Sequence, residues 1–165
     1  MNHLLCVPIT ESQAEAFLKA IAEAALTADI IELRLDYVRE DELANLLVKV
    51  THHEVTKPLL FTFRPREQGG MRDLTLADRL SFWRGLSNEI KARICYADFE
   101  LDLVEHLTEQ TPPLPWAKII CSQHNFDETP ADLNEIYERI AHTPADVIKI
   151  ATKANRIADC LLLFD

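Results

Sequence analysis

The sequence predicts an α/β protein in which a parallel β-sheet is flanked by helices. The first observation behind this prediction is alternation, because short apolar runs are separated by stretches with helically spaced apolar residues. The second is the length of one run plus one helix, roughly 25 to 30 residues, which is typical of a β-α-β crossover. Six such units in succession indicate parallel strands. No linker or low-complexity tract interrupts residues 1–165, so we expect one domain.

The predicted strands cover residues 4–9, 29–36, 58–64, 94–100, 117–122 and 146–151. Apolar stripes predict helices between them. The first helix is expected to begin with a capping box of Thr10 and Gln13, and the fifth with Thr129 as N-cap and Pro130 in its first turn. The weaker fourth helix is expected to end at Pro112-Pro113, and a last helix covers about 155–164. The stripes are Phe17/Leu18/Ile21/Ala24/Ala25, Leu43/Leu46/Leu47/Val50, Leu76/Leu80/Trp83/Leu86, the stretch 103–107, and Leu133/Ile136/Tyr137/Ile140.

The face pattern of the strands decides between an open doubly wound sheet and a (β/α)8 barrel. Polar residues share one face near the C-terminal end of each later strand, opposite apolar ones. An open sheet covered by helices on both faces has no place for them, whereas a barrel collects them at the mouth where barrel enzymes have their active sites. We therefore predict a (β/α)8 TIM-type barrel of which about six of eight units are present. The polar sets are Glu32/Arg34/Asp36, Thr62/Arg64, Tyr96/Asp98/Glu100, Ser122/His124 and Lys149.

Composition excludes several classes of function. Lys and Arg number 17 against 27 Asp and Glu, and the net charge of −10 argues against nucleic-acid or membrane partners. No apolar run is long enough to cross a membrane, and the three glycines cannot build a nucleotide-binding loop. No C-x-x-C pair predicts zinc or redox chemistry. The apolar neighbours of the four cysteines predict buried thiols, and the N-terminus lacks the pattern of a signal peptide, so we expect a cytoplasmic protein.

Two residues are candidates for chemistry at the mouth. Lys149 lies between apolar neighbours, and a lysine in a buried strand must be paired or neutral. A neutral amine condenses with a ketone to form a Schiff base, although a salt-bridged lysine would give the same pattern. His124 directly follows the fifth strand, which suits a general acid or base, or a histidine that caps a loop.

The other charged residues of the mouth have two readings as well. Glu32, Arg34, Asp36 and Arg64 could hold hydroxyls or a carboxylate by charge-assisted hydrogen bonds. They could equally form a structural network of ion pairs inside the barrel. The pair His52-His53 has no third ligand nearby in the sequence, so we expect a solvated helix end rather than a metal site.

Together, five segments in this order and spacing resemble type I 3-dehydroquinate dehydratase, the Schiff-base lyase of the shikimate pathway. The resemblance covers nearly the whole chain, and it implies a (β/α)8 barrel, usually a homodimer, with no metal or organic cofactor. The segments are Glu32-Leu33-Arg34-Leu35-Asp36, Phe61-Thr62-Phe63-Arg64, Gln68-Gly69-Gly70, Ser122-Gln123-His124-Asn125-Phe126 and Val147-Ile148-Lys149-Ile150-Ala151.

The resemblance also implies roles for single residues. Lys149 matches the lysine that forms an imine with the C3 ketone of 3-dehydroquinate, and His124 the histidine that removes the C2 proton and protonates the departing C1 hydroxyl. The residues that match binders of the substrate's hydroxyl side are Glu32, Arg34 and Arg64, with Asp36, Gln68 and Ser122 in support.

The sequence departs from the family at three places. Gln68 stands where a glutamate is common, so it can orient His124 but cannot support an imidazolium by its charge. Val7 replaces a serine found in some members. The seventh and eighth units, which would supply an arginine for the substrate carboxylate and a closing loop, have no counterpart, so we expect a truncated chain. The alternatives are another class I aldolase-type lyase, or a non-catalytic barrel fragment.

Overall fold

A computed structural model describes residues 3–110 and 117–163, with side chains for all of these except 108–110. The described part contains a six-stranded parallel sheet whose order follows the chain, β1-β2-β3-β4-β5-β6. It curls into part of a barrel, as predicted. The strands are β1 Cys6–Ile9, β2 Ile30–Arg34, β3 Leu59–Thr62, β4 Tyr96–Glu100, β5 Lys118–Asn125 and β6 Val147–Thr152.

Each predicted interval contains a helix. The short helix Asn88–Lys91 was not predicted, and nor was the 3₁₀ turn Arg66–Gln68 that follows β3. Both are too brief to show a helical stripe of apolar residues. The helices are α1 Ala14–Ala24, α2 Glu40–His52, α3 Leu76–Gly85, α4 Asn88–Lys91, α5 Leu101–Gln110, α6 Leu133–Ala141 and α7 Ile157–Leu161.

The start of α1 differs from the prediction. The capping box of Thr10 and Gln13 is wrong, because Gln13 occupies the N-cap and its side chain caps nothing. The Ala14 N–H instead donates to the Glu42 carboxylate of α2, at 3.4 Å. A neighbouring helix thus supplies the acceptor that the helix end needs, which no local pattern reveals.

The start of α6 also differs. Asp132, not Thr129, is its N-cap, because the Thr129 hydroxyl donates to the Lys153 carbonyl at 3.2 Å after β6. Helix α7 covers only five residues of the predicted stretch 155–164. The expected stop at residues 112–113 lies outside the described part of the chain.

The alternation of the strands places their apolar face on the helices. Leu33, Phe61 and Phe99 are completely buried and pack with residues of the surrounding helices in one core. The polar residues between them therefore point to the concave inside of the sheet. This confirms the prediction that the charged face of the sheet is the inner wall of a barrel.

Strand β6 is an edge of the sheet, with one neighbour among the described strands. The expectation of a buried strand around Lys149 is therefore wrong, since Val147 and Ile148 are exposed and Lys149 is part-exposed. The expectation of buried thiols holds only for Cys121, since the other three cysteines are exposed. No helix in the described ranges has the length and apolarity to cross a membrane.

Candidate active site

The candidate site lies on the inner face of the sheet, where polar side chains of five adjacent strands meet. Strand register brings them together, because Ser122 of β5 pairs with Lys149 of β6, and His124 pairs with Ala151. His124 and Lys149 are thus diagonal neighbours on one face, with Cα atoms roughly 8 Å apart by strand geometry. The predicted grouping at the mouth is present.

Asp98 is the centre of this group, and its side chain is buried. Its Oδ2 accepts from Arg64 Nη2 at 2.7 Å and from Lys149 Nζ at 2.9 Å, and its Oδ1 accepts from the Ser122 hydroxyl at 2.5 Å. Burial opposes ionisation, yet the charges of Arg64 and Lys149 and the Ser122 hydrogen bond hold the pKa of Asp98 well below its usual range. Asp98 is therefore a permanent anion beside the lysine.

Arg64 is 3% exposed and has all its described partners on the inner face. Its Nη1 donates to Glu100 Oε1 at 2.9 Å and to the Ser122 hydroxyl at 2.6 Å, while Nη2 holds Asp98. Burial raises the pKa of Glu100, and the Arg64 charge opposes that rise. Arg64 thus pairs with both carboxylates of β4, which is the structural network of ion pairs that we considered from the sequence.

Lys149 is more exposed than the carboxylate with which it pairs. Its side chain is 37% exposed, whereas that of Asp98 is 0% exposed. The Lys149 side chain is therefore partly accessible, while the carboxylate that its amine contacts is buried. The salt-bridged arrangement that we considered from the sequence is present.

His124 is neutral at ordinary pH. It is 9% exposed, and burial, with the positive charges of Arg64 and Lys149, lowers its pKa to about 3. Gln68 Oε1 accepts from the His124 backbone N–H at 3.1 Å and lies 3.3 Å from Nδ1. Because an amide oxygen only accepts, Nδ1 carries the proton and Nε2 keeps its lone pair. The ring is thus prepared to act as a base at Nε2.

The loop that carries Gln68 requires its two glycines. Gly69 has φ +81°, and a Cβ there would lie 2.3 Å from the Phe126 ring, which stacks near His124 at a centroid distance of 6.0 Å. A Cβ on Gly70 would lie 1.9 Å from the carbonyl oxygen of Arg64. The loop therefore packs tightly between β3 and the end of β5, which brings Gln68 to His124.

Strand β2 supports the same loop. Asp36 accepts from Arg34 Nε at 2.9 Å and Nη2 at 2.8 Å, and it also accepts from the Met71 N–H at 3.2 Å. Arg34 Nη2 reaches the Gly69 carbonyl at 3.2 Å. Glu32 lies further inside and accepts from the Thr62 hydroxyl at 2.7 Å. Glu32 and Arg34 of β2 line the mouth together with Asp36, which lies just after the strand and orients Arg34.

Three charged residues of this network were not selected from the sequence. Asp98 and Glu100 were recognised only as part of the polar face of β4, and Arg79 of α3 not at all. The alternation in Tyr-Ala-Asp-Phe-Glu was the available signal for the two carboxylates. Arg79 gave no signal, because its helix places it outside the sheet and only the fold brings it to Glu100. Among the described residues, no three possible ligands gather around a metal position.

Comparisons with known proteins agree on one family. The family model described as type I 3-dehydroquinase matches residues 5–165. The bifunctional chloroplastic 3-dehydroquinate dehydratase/shikimate dehydrogenase of Arabidopsis thaliana is 32% identical over 98% of this chain and 27% of its own length. The 3-dehydroquinate dehydratase of Streptococcus sanguinis is 28% identical over 84% of this chain and 60% of its own length.

Solved structures show the same similarity. The type I 3-dehydroquinate dehydratase of Clostridium difficile, with covalently modified comenic acid, superposes with a TM-score of 0.75 at 25% identity, over 97% of this chain and 67% of that one. The 3-dehydroquinate dehydratase of Geobacillus kaustophilus gives a TM-score of 0.78 at 20% identity, over 99% of this chain and 66% of that one. The chain spans about 60% of the length of the Streptococcus sanguinis relative.

Proposed function

Because this chain belongs to the type I 3-dehydroquinase family, we propose that it dehydrates 3-dehydroquinate to 3-dehydroshikimate through a Schiff base on Lys149. The observation that carries the proposal is the part-exposed Lys149, whose amine lies beside the buried Asp98 and diagonal to the neutral His124. An amine, a base and a hydrogen-bonding wall on one concave face are the groups that an imine-dependent elimination needs.

The first proposed step is formation of the imine. The Lys149 ammonium gives one proton to solvent, and the neutral amine attacks the C3 carbonyl carbon to form a carbinolamine. One proton moves from nitrogen to the former carbonyl oxygen, and a second proton taken back from solvent lets that oxygen leave as water. The resulting iminium withdraws electrons from C2 and makes its proton acidic. Asp98 stabilises the cationic nitrogen of this iminium once it has formed, because a buried anion lies next to it.

His124 is the proposed acid and base of the elimination. Its Nε2 takes the C2 proton, and the C–H electrons move toward the iminium nitrogen to give an enamine. The enamine electrons then form the C1–C2 double bond while Nε2 gives its proton to the C1 hydroxyl, which leaves as water. Hydrolysis of the imine frees the product and restores Lys149. Gln68 keeps the ring in the required tautomer through its contact with Nδ1.

Substrate hydroxyls are assigned to Glu32, Arg34 and Arg64. Arg34 is the more accessible of the two arginines, since its side chain is 17% exposed and that of Arg64 is 4% exposed. We infer that Arg34 makes the direct contact and that Arg64 acts largely through Asp98 and Ser122. Asp36 and Ser122 support these residues by hydrogen bonds.

We further propose that residues 1–165 act as one domain, as a cytoplasmic homodimer and without a cofactor, as the resemblance implies. The number of subunits is tested by sedimentation equilibrium across a range of protein concentrations.

Covalent chemistry in a relative supports the imine, since the solved structure from Clostridium difficile contains covalently modified comenic acid.

The activity is tested with 3-dehydroquinate itself. Incubation of the protein with this substrate, followed by product analysis, should give 3-dehydroshikimate and water. A carbon–carbon cleavage product would favour the aldolase-type alternative. The absence of any borohydride-trapped adduct by intact mass would favour a non-catalytic fragment.

A further inference from the structure

Arg79 is a buried charge that the proposed reaction does not use. It lies on α3, outside the sheet, yet it is 2% exposed. Its Nη1 donates to Glu100 Oε2 at 2.9 Å and to Asp102 Oδ1 at 2.9 Å, and its Nη2 donates to Asp102 Oδ2 at 2.5 Å. A helix on the outside of the barrel thus places the Arg79 guanidinium at the end of β4.

Arg79 is connected to the amine of Lys149 by shared partners. Glu100 gives Oε2 to Arg79 and Oε1 to Arg64, at 2.9 Å each. Arg64 divides its nitrogens between Glu100 and Asp98, and Asp98 Oδ2 also accepts from Lys149. The charges alternate in sign along this sequence of contacts, which we call the ion-pair chain: Arg79, Glu100, Arg64, Asp98 and Lys149.

We propose that Arg79 is a positioning residue for Lys149, which it influences through Glu100 and Arg64. The proposal deepens the proposed function and rests on it for the role of Lys149. Arg79 limits Glu100 to one oxygen for Arg64. Without Arg79, Oε2 of Glu100 is a buried acceptor that has lost its cation. Glu100 then binds Arg64 through both of its oxygens, in the bidentate geometry that a guanidinium favours.

The consequence for Lys149 follows from the geometry at Asp98. A bidentate Arg64–Glu100 pair draws Nη2 away from Asp98. Asp98 then has Lys149 as its principal cationic partner and holds the ammonium more strongly. Since an amine must lose a proton and leave that carboxylate before it attacks a carbonyl, imine formation at Lys149 slows when Arg79 is removed.

The test uses formaldehyde, so that it does not depend on the natural substrate. Formaldehyde condenses with a neutral lysine amine with loss of water, and cyanoborohydride reduces the imine to a methylamine by hydride transfer. Peptide mass spectrometry gives the methylation rate of each lysine at pH 7. In Arg79→Met we expect the rate at Lys149 to fall about tenfold, while the rate at the exposed Lys19 is unchanged.

A double-mutant cycle separates this role from simple loss of packing. In a protein that carries Glu100→Gln, the neutral amide does not compete for Arg64. Addition of Arg79→Met should then change the Lys149 rate by less than about twofold. The matched control is Arg139→Met, which removes an exposed arginine from a bidentate pair with Glu105 on the outer surface, and it should leave the Lys149 rate unchanged.

Equal slowing by Arg79→Met in the Glu100 and Glu100→Gln backgrounds would overturn the proposal, and so would no slowing in either. If Arg79→Met does not fold, Arg79→Lys replaces it. Lysine keeps the charge but cannot bridge both carboxylates as a guanidinium does, so we expect about threefold slowing that Glu100→Gln abolishes. If the formaldehyde cycle gives the expected result but 3-dehydroquinate forms no adduct, the proposed function fails and the Arg79 proposal stands.

Discussion

Lys149 Nζ lies 2.9 Å from Asp98 Oδ2, so a part-exposed lysine is paired with a buried carboxylate. The contact links β6, an edge strand, to β4 in the middle of the sheet. Lys149 and Arg64 share the same Asp98 oxygen. The stability of this part of the fold and the reactivity of the amine therefore depend on one carboxylate.

Asp98→Asn tests how far the stability of the fold depends on this carboxylate. The substitution removes one of the two carboxylates that neutralise the buried charge of Arg64. Removal of one partner from a buried ion pair lowers the free energy of unfolding by about 4 kcal/mol. Urea denaturation monitored by circular dichroism measures it. The matched control is Asp73→Asn, since Asp73 pairs with Arg66 at the exposed surface, and a change within about 0.5 kcal/mol is expected there. Equal effects of the two variants would contradict a central role for Asp98.

His124 is expected to make stability depend on pH. Its pKa is about 3 in the folded protein and about 6.5 when unfolded, so between these values the unfolded chain binds one more proton. The contribution is fully present above about pH 6.5 and is lost as the pH falls toward 3. From pH 7.5 to 5.0 this amounts to roughly 2 kcal/mol.

The measurement is the free energy of unfolding of His124→Asn at both pH values. The loss of stability at pH 5.0 should shrink by that amount relative to the unsubstituted protein. His142→Asn, which changes an exposed histidine at the end of α6, should keep the full loss. A pH dependence that is the same in His124→Asn as in the parent would show that His124 is not held neutral by burial.

The chemistry of His124 is tested separately. His124→Ala should still form the imine with 3-dehydroquinate and then stall, with turnover lowered at least about 100-fold. Trapped adduct is measured by intact mass and turnover by product formation. His142→Ala is the control and should turn over normally. Turnover at the parental rate in His124→Ala would remove this residue from the mechanism.

Gly69→Ala tests the packing of the loop that carries Gln68. The new Cβ would collide with the Phe126 ring, and the residue would have to keep a φ of +81°. We expect a loss of about 2 kcal/mol in the free energy of unfolding. Gly85→Ala is the control, because a Cβ there meets nothing within 4 Å, and it should cause no loss. Comparable losses would show that the loop does not require the glycine.

Local patterns were sufficient to predict the strands and the inner polar face. Alternation within Glu-Leu-Arg-Leu-Asp places Glu32 and Arg34 on one side of β2 whatever the strand packs against, so that part of the site could be predicted. Lys149 and His124 could be chosen for the same reason, each from its own strand.

What could not be predicted depends on contacts between distant segments. Arg79 reaches Glu100 across 21 residues, and the Ala14 N–H finds Glu42 across 28. The exposure of β6 was missed because an apolar run looks alike in a central strand and in an edge strand. Pairing of Asp98 with Lys149, across 51 residues, needed the register of three strands.

The most direct test of the central claim is the site of imine formation. The protein is incubated with 3-dehydroquinate, reduced with borohydride, digested, and analysed by peptide mass spectrometry. We expect one adduct per chain on Lys149, and none in Lys149→Met, while Lys118→Met and Lys153→Met retain it. An adduct that persists in Lys149→Met, or that maps to Lys118 or Lys153, would contradict the assignment of Lys149 as the nucleophile.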